Sequence, residues 1–569
     1  MRKSRLLLVL VMIIFAAGVS GFHGGLFVKD SVMVLDLSGD VPETYPWNPL
    51  MSLLGEEPIT VLDKVVALDR AAGDPNIKGV VVRTADGSYG FAKAQEFRQA
   101  ILSFRQETDK PIYGVIETES QGNLQYYIAS ACEKVYLAPA SNLGLTGLSV
   151  FRFYLGGLWD KIYVDMQVRK IDEYKSFADM LSREDMSDAE RRMQNALLDS
   201  LYDRMTGDIA ESRGVSSDKV KEWVDAAWLT ASDYEKNGVV DGLGYVDELV
   251  RDIGGDDAVI MTDRQYTDLF GRGKTFGTGP RVAVVYAVGN IVSGDPPAGP
   301  LGRGNMVASD PMAKKLMEAA EDKSIDAVIL RVDSGGGSAL ASDLIWNATR
   351  VLKGKKPLVV SMSDAAASGG YYISSNADRI VAQPGTLTGS IGILTARISL
   401  GKLMNKINVG TEVMSRGEYA DMYRIDRRAS RAEMEKIYES ISSLYDLFLR
   451  RVADGRSMEK SAVNEIGQGR VWTGEQAKEV GLVDALGGFG AATDQVKELL
   501  GVPEGRDVSL VYGHEKVTLW KLMTGRVGSS IERRFLTPEE MELVETLRFH
   551  GLYRPGQPLA ILPGPMKIR

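Results

Sequence analysis

The fold is decided by a stretch that occurs twice: IKGVVVRTADGSYGFAKAQEFRQAI at residues 77–101 and IDAVILRVDSGGGSALASDLIWNAT at residues 325–349. Each copy begins with an apolar run, passes through a glycine-bearing turn and continues in an amphipathic pattern. The apolar run is typical of a buried strand, and the amphipathic pattern is typical of a helix. The stretch therefore predicts a strand–turn–helix unit in each half of the chain.

Three further pairs of segments extend this repeat. Residues 110–130 match 356–375, residues 173–180 match 418–425, and residues 235–244 match 477–487. The offset between the copies stays between 243 and 248 residues. A period that holds so closely indicates a duplicated fold, and its small drift indicates loop insertions or deletions.

Within each half, short apolar strands alternate with helical segments. Strands are predicted at residues 80–83, 112–115, 282–286, 327–332 and 358–362, and long helices at 188–207 and 431–455. This alternation favours an α/β fold with mostly parallel strands and helices on the outside. The long helices are expected to serve packing and contacts between subunits.

The repeat also predicts the division of the chain. An N-terminal membrane segment is expected at 1–27, a first α/β repeat at 28–270, a second at 271–500 and a C-terminal extension at 501–569. Residues 251–278 are expected to connect the repeats. The end of the extension is rich in proline and glycine and is expected to be loosely held.

Composition excludes several classes of protein. The chain has 569 residues with 67 Lys and Arg against 76 Asp and Glu, a net charge of −9, which argues against nucleic-acid binding. The single cysteine, Cys132, allows neither an intrachain disulfide nor a cysteine-based metal site. The three histidines are His23, His514 and His550, so a histidine-based catalytic centre is nearly excluded from the body of the chain.

The N-terminus carries an export signal. Arg2, Lys3 and Arg5 precede an uncharged apolar stretch at residues 6–22, which is just long enough to cross a bilayer as a helix. The basic flank places the start in the cytoplasm and the remainder outside. A cleaved signal peptide, cut near Val19–Gly21, is the alternative. Either interpretation exports the rest of the chain.

Matched positions in the two repeats differ in a way that suggests chemistry. Ser368 lies in AAASGGYYI of the second half, and its counterpart at an offset of 245 is Asn123. Lys175 lies in EYKS of the first half, and its counterpart is Ala420. Since one half carries a serine and the other a lysine, we expect one active site divided between two copies of a fold.

A lysine can serve as the base for such a serine. A serine hydroxyl is a weak nucleophile until a neighbouring base takes its proton. A lysine amine is such a base once burial or a nearby positive charge lowers its pKa enough to keep it neutral. Ser390, in LTGSIGI, is the candidate to orient the amine.

The glycine-rich turn at residues 334–337 supplies the remaining parts of a hydrolytic site. Its backbone amides and that of Gly369 are candidates for an oxyanion hole. The segment after Gly337 can also pair with an extended peptide as an added strand. Each motif alone is more often an ordinary turn or surface feature, so the prediction depends on their combination.

The combined motifs resemble a known family. The exported N-terminus, the tandem repeat, EYKS, SGGG at 334–337, ASGGYYI at 367–373 and TLTGSIGI at 386–393 together resemble signal peptide peptidase A, also called protease IV, in its long two-repeat bacterial form. The resemblance covers about residues 30–495. It implies two crotonase/Clp-protease-like domains, a homotetramer at the bacterial inner membrane with its catalytic body outside the cytoplasm, and degradation of cleaved signal peptides.

The resemblance also implies residue roles. Ser368 is expected to be the nucleophile, Lys175 the general base and Ser390 the residue that orients the lysine, with Gly336 and Gly369 as oxyanion amides. No cofactor, metal or nucleotide is expected. The family's usual Asn-Ser-Pro-Gly-Gly is Asp333-Ser334-Gly335-Gly336-Gly337 in this chain, which leaves open which glycine amide faces the site.

Two alternatives stay open at this stage. One is a non-catalytic membrane-associated scaffold of the same fold, against which the presence of both Ser368 and Lys175 argues. The other is a crotonase-type acyl-CoA enzyme, against which the export signal argues. The sequence also leaves open whether Lys175 serves the serine of its own chain or that of a neighbour.

Overall fold

The computed structural model describes residues 30–45, 58–87, 89–119, 122–271, 279–295, 306–503, 505–512 and 558–562. The predicted membrane segment at 1–27 lies outside these residues. Among the residues described, no helix combines the length and the apolar character that a membrane span requires.

The first half alternates strands and helices as its sequence predicts. Its strands are β1 (Ser31–Asp36), β2 (Ile77–Ala85), β3 (Ile112–Glu117), β4 (Lys134–Leu137), β5 (Asp165–Lys170), β6 (Gly242–Leu243) and β7 (Val259–Thr262). Its helices are α1 (Val61–Gly73), α2 (Phe91–Glu107), α3 (Asn123–Ala129), α4 (Gly156–Lys161), α5 (Phe177–Ser182), α6 (Asp188–Arg213), α7 (Ser217–Ala226), α8 (Ala231–Lys236), α9 (Val246–Gly254) and α10 (Asp263–Phe270).

The second half repeats this alternation. Its strands are β8 (Arg281–Val288), β9 (Asn290–Val292), β10 (Met306–Ala308), β11 (Ala327–Ser334), β12 (Gly336–Ser338), β13 (Leu358–Ala367), β14 (Arg379–Ala382), β15 (Leu387–Gly389), β16 (Leu394–Ser399), β17 (Val471–Thr473), β18 (Ala485–Leu486), β19 (Ser509–Val511) and β20 (Leu559–Ile561). Its helices are α11 (Ser309–Glu321), α12 (Ala339–Lys353), α13 (Gly369–Ser374), α14 (Gly401–Lys406), α15 (Arg431–Arg456), α16 (Lys460–Ile466), α17 (Gly474–Glu479) and α18 (Phe489–Leu500).

Each half builds its own sheet, and the two sheets have matching strand orders. The first sheet has the order β6-β4-β3-β2-β1-β7, and its neighbours are all parallel. The second contains the matching series β18-β14-β13-β11-β8-β19, also parallel, with β15 and β17 branching from β13. The apolar runs 80–82 and 327–330 are fully buried within the first and the second sheet respectively, as expected of strands covered on both faces. The predicted tandem α/β repeat is confirmed.

A third sheet joins the two repeats. Its order is β10-β9-β12-β20-β16-β5, and it contains one strand of the first repeat, β5, paired antiparallel with β16 of the second. Six residue pairs, from Leu394–Lys170 to Ser399–Asp165, fix the register of this pair. The third sheet therefore determines how the chain after β5 approaches the second repeat.

Buried charges also link the repeats. The guanidinium of Arg331 on β11 makes a bidentate ion pair with Glu43, at 2.9 and 3.0 Å, and a third contact with Glu96 at 3.2 Å. Burial alone would raise the pKa of Glu43, but Arg331 and Lys93 hold that pKa below its ordinary value. Asp364 accepts from the amides of Gly90 and Lys93 at 2.9 Å and so caps the start of α2 across the interface.

Two expectations about connecting segments are wrong. Residues 251–270 are not a linker, because β7 pairs with β1 at the edge of the first sheet and α10 packs beside it. The end of the C-terminal extension is not loose at 558–562, because β20 pairs with both β12 and β16 and is buried. The predicted extension also supplies β19, the counterpart of β7, to the second sheet.

Candidate active site

Ser368 lies at a strained junction between a strand and a helix. Strand β13 ends at Ala367 and α13 begins at Gly369, so the serine connects them. Its φ of 54° and ψ of −113° are unusual for a residue with a side chain, and its amide donates to the carbonyl of Gly389 at 2.8 Å. Such strain persists only where the surroundings enforce it, and it is concentrated at functional sites.

Lys175 reaches this junction from the first repeat. The chain leaves β5 and is bonded to the second repeat through Ile171 N to Ile393 O, at 3.0 Å, and Tyr174 N to Gln468 O, at 3.1 Å. Glycine is required where the lysine passes, since a Cβ at Gly469 would lie 2.7 Å from the Lys175 amide nitrogen. The pairing of β5 with β16 thus delivers the lysine into its partner repeat.

The lysine and the serine meet directly. Nζ of Lys175 lies 2.7 Å from Oγ of Ser368 within one chain. The amine also donates to the carbonyl oxygen and to Oγ of Ser390, each at 2.9 Å. Ser390 has a left-handed backbone, with φ of 51°, that aims both of its oxygens at the amine. The structure therefore brings together all three side chains that the sequence singles out.

The Lys175 amine is shielded from solvent. Lys175, Ser368 and Ser390 each have no solvent-exposed surface. Burial lowers the pKa of the Lys175 amine well below its ordinary value. A charged ammonium is disfavoured in such a place, because desolvation penalises the charged form. The site favours a neutral amine beside a hydroxyl.

The matching positions in the other copy have no such chemistry. Asn123 accepts from the amides of Thr146 and Gly147 at 3.1 Å and donates to Gly147 O at 2.9 Å, so its side chain fixes a loop. Ala420 is exposed in a turn. The two repeats therefore form one composite site.

The glycine turn lies next to the serine. A Cβ at Gly336, whose φ is +100°, would lie 2.6 Å from the amide nitrogen of Gly369. The Gly336 amide itself donates to Oγ of Ser334 at 3.1 Å, so it is turned away from the junction. The neighbouring Gly337 lies on β12, opposite Ala560 of β20, the strand between β12 and β16 in the third sheet. Leu562 N donates to Gly335 O and Ala339 N donates to Pro558 O, so the alternation of an antiparallel ladder turns the Gly337 amide toward β20, in the groove between β12 and β16.

Sequence reasoning missed the residues that line this groove. Ala560 of β20 lies opposite Gly337, and Leu394 of β16 lies opposite Leu559. The signal for β20 was the short apolar run Pro-Leu-Ala-Ile-Leu at 558–562, which stands out within a tail otherwise rich in proline and glycine. A five-residue run in such a tail does not reveal its partner strands, because register depends on tertiary pairing.

Comparison with known proteins agrees with this architecture. The model of peptidase family S49 matches the chain twice, at residues 104–259 and 350–503, one match in each repeat. The chloroplastic serine protease SPPA of Arabidopsis thaliana is 35% identical over 473 residues, covering 81% of this chain and 69% of the relative. Protease 4 of Haemophilus influenzae is 31% identical over 522 residues, covering 87% of this chain and 83% of the relative.

One solved structure extends the comparison at lower similarity. A ClpP1 mutant of Listeria monocytogenes aligns with 37% of this chain and 93% of its own at 15% identity and a TM-score of 0.24, too low to add to the fold assignment. The family match in both repeats and the two long relatives are sufficient without it. The chain belongs to peptidase family S49, the serine peptidases that include signal peptide peptidase A and protease IV.

Proposed function

We propose that the chain is a serine endopeptidase that uses a Ser368–Lys175 dyad and proceeds through an acyl-enzyme. The observation that carries the proposal is the 2.7 Å contact between Nζ of Lys175 and Oγ of Ser368 in a site without solvent exposure. A neutral amine has two hydrogens and one lone pair. The two oxygens of Ser390 accept the hydrogens, which leaves the lone pair for the proton of Ser368.

The reaction follows from this arrangement. Oγ of Ser368 attacks the peptide carbonyl while its proton passes to Nζ of Lys175, and the resulting ammonium returns the proton to the leaving amine. A water molecule, deprotonated by the same lysine, then hydrolyses the ester. Lys175 is the general base in the first half of the reaction and the general acid when the amine leaves.

Backbone amides supply the oxyanion hole. Gly369 follows the nucleophile directly, and we keep it as one donor. For the second donor we propose Gly337, since the Gly336 amide is engaged with Ser334. The absence of a side chain at Gly336 leaves room for the substrate carbonyl between the two donors.

Peptides are the substrates that fit this groove. Strands β12 and β16 are separated by one strand position, which β20 fills, and a peptide in extended form can pair with both edges. Apolar side chains line the position, among them Phe177, Leu181 and Leu394. We propose that cleaved signal peptides and other short apolar peptides occupy it. A relative from Enterococcus faecium, 36% identical over 185 residues that cover 32% of this chain, is named a putative signal peptide peptidase SppA.

The N-terminal sequence supports a location at the membrane. We propose that residues 6–22 form a single-pass anchor in the bacterial inner membrane, with the catalytic body on the extracytoplasmic side. Substrates left in the bilayer after secretion would then lie close to the site. A cleaved export signal is the alternative, and the mass of the mature N-terminus distinguishes the two.

We also propose an arrangement in which copies of the chain assemble. Strand β16 at 394–399 corresponds to residues 149–154 at an offset of 245, and β5 at 165–170 corresponds to 410–415. Strands β16 and β5 pair with each other within the chain. The counterpart segments, 149–154 and 410–415, instead expose large apolar side chains: Phe151 is 76% exposed and Met414 is 97% exposed. We propose that residues 149–154 of one copy pair with 410–415 of the next. Such head-to-tail pairing closes a ring, and the family resemblance implies four subunits.

The function is tested by hydrolysis of a fluorogenic peptide with an apolar residue before the cut. Full-length protein in detergent is compared with Ser368→Ala, Lys175→Ala and the control Ser374→Ala, a buried hydroxyl in the helix that follows the nucleophile. We expect both dyad variants to lose at least about 1,000-fold in kcat and the control to stay within a few-fold. A Lys175→Ala variant that keeps its rate would refute the dyad. An inert wild type would favour a scaffold.

A further inference from the structure

The peptide groove of this chain contains a segment of the chain itself. Strand β20 lies between β12 and β16 and is antiparallel to both. It is contributed by residues near the C-terminus and takes the position that the preceding section assigns to substrate. Ser368 beneath it has no exposed surface.

The register of β20 places one peptide bond at the nucleophile. Leu562 N donates to Gly335 O at 2.5 Å, and Ala339 N donates to Pro558 O at 3.3 Å. Hydrogen-bonded pairs in an antiparallel ladder recur at every second residue, so Gly337 and Ala560 form the pair between them. The Gly337 amide therefore donates to the carbonyl of Ala560.

That carbonyl also lies beside Gly369, whose amide is the other proposed oxyanion donor. The Ala560 oxygen is 2.1 Å from the position of a Cβ at Gly336 and 3.0 Å from that of a Cβ at Gly369. The nucleophile immediately precedes Gly369, and α13 contacts β20. Of the carbonyls in the segment, that of Ala560 is placed as a scissile carbonyl would be.

The side chains of the segment are bound as well as its backbone. Ala560 has no exposed surface, so the pocket before the cut holds a small side chain. Leu559 and Ile561 pack in one cluster with Phe177 and Leu181 of the first repeat. Leu562 packs with Met193 and Val471. Both repeats thus contribute to binding four consecutive residues.

We propose that residues 558–562 block the groove as a built-in substrate and that the enzyme opens itself by cutting the bond between Ala560 and Ile561. This inference rests on the proposed function. The Ser368 Oγ–C bond to Ala560 forms as the C–N bond to Ile561 breaks, and the proton of Ser368 passes through Lys175 to the new amine of Ile561. Water then releases the carboxylate of Ala560. The freed segment no longer spans the groove, and other peptides can enter.

The cut is tested by intact mass on full-length protein. Wild type is expected to convert to a chain that ends at Ala560, while Ser368→Ala stays uncut. The same samples are assayed with the fluorogenic peptide, so the two proposals fail separately. A wild type that hydrolyses the peptide and stays full length would overturn self-cleavage alone, as would a cut at another bond or an equal cut in Ser368→Ala. A wild type that cuts neither would overturn both.

A second pair of variants tests the pocket. Ala560→Trp places a large side chain at a position that has no solvent-exposed surface, and we expect cleavage of this variant's own chain to slow at least tenfold. Leu552→Trp, which changes the same tail outside the described residues, is the control and is expected to be cut like wild type. Equal cutting of Ala560→Trp would contradict the register.

Blocking is tested in the uncut background. Ser368→Ala is combined with Leu559→Asp and Ile561→Asp, which should expel β20 from its apolar surroundings. A fluorescein-labelled peptide with the sequence of residues 557–563 then reports access by anisotropy. We expect its Kd to fall at least tenfold relative to Ser368→Ala alone. An unchanged Kd would show that the segment does not block the groove.

Discussion

The amine of Lys175 and the hydroxyl of Ser368 are 193 positions apart in the sequence and 2.7 Å apart in the folded chain. They come from different repeats of a duplicated fold, and strand β5 crosses between the repeats to bring them together. Neither copy of the fold contains both groups.

The first prediction concerns pH. Only the neutral amine of Lys175 accepts a proton, and burial holds its pKa well below the ordinary lysine value. We expect kcat to be low at acidic pH and to rise with pH to a plateau that begins well below pH 10. A pH–rate profile of the fluorogenic assay measures this. A profile that rises only near pH 10 would mean that the lysine is charged at neutral pH.

The second prediction concerns stability. The folded state disfavours the ammonium of Lys175, whereas the unfolded chain holds the proton up to about pH 10.4. The unfolded state therefore binds more protons at neutral pH, and Lys175 destabilises the fold there. We expect Lys175→Met to raise Tm at pH 7, with a gain that shrinks as the pH approaches 10. A lower Tm at pH 7 would contradict this reasoning.

Ser390 is predicted to position the base. Ser390→Ala removes one of the two acceptors that orient the Lys175 amine, while the carbonyl at the same position stays. We expect kcat to fall about 10–100-fold with KM nearly unchanged, because the loss concerns proton transfer and not binding. Steady-state kinetics separate the two parameters. A change confined to KM would assign the residue to substrate binding.

Gly336 is predicted to tolerate no side chain. Its φ is +100°, and a Cβ would lie 2.6 Å from the Gly369 amide nitrogen even in the absence of β20. Gly336→Ala should therefore displace an oxyanion donor and lower kcat by about 100-fold. Gly335→Ala, whose Cβ would meet only the side chain of Leu562, at 3.3 and 3.9 Å, is the matched control. Equal activity of the two variants would argue against the proposed hole.

The buried ion pairs between the repeats yield a prediction in stability. Arg331→Met leaves Glu43 and Glu96 buried without their partner, and we expect a cost of about 3–5 kcal/mol in unfolding free energy. Its counterpart Arg83 is 31% exposed, and Arg83→Met should cost about 1 kcal/mol or less. Denaturant unfolding compares the two. Equal costs would mean that burial does not control these pairs.

The assembly is predicted to depend on the two exposed apolar segments. Phe151→Asp or Met414→Asp should convert the proposed homotetramer to smaller species in sedimentation, because either charge would lie in the proposed strand pair. Leu229→Asp, at a residue that is 69% exposed elsewhere on the surface, should leave the assembly intact. A wild type that sediments as a monomer would refute the assembly.

Much of the fold followed from local pattern. The strands around residues 80–83 and 327–332 and the helices beginning at 188 and 431 are continuous apolar or amphipathic segments, which short-range physics fixes. Segments without such a pattern were misjudged. Residues 259–262 form an edge strand because β1 offers a parallel neighbour, and residues 559–561 form a strand because β12 and β16 offer two.

The sequence by itself determined the duplication, the α/β class and the pairing of a serine in one repeat with a lysine in the other, because comparison of two copies exposes the positions at which they differ. Tertiary structure alone decided that Lys175 meets Ser368 of its own chain, that Gly337 presents its amide to the groove, and that residues 558–562 lie over Ser368. Each of these depends on strand register and on contacts between residues far apart in the chain, and a one-residue slip in register would reverse the face on which a side chain lies.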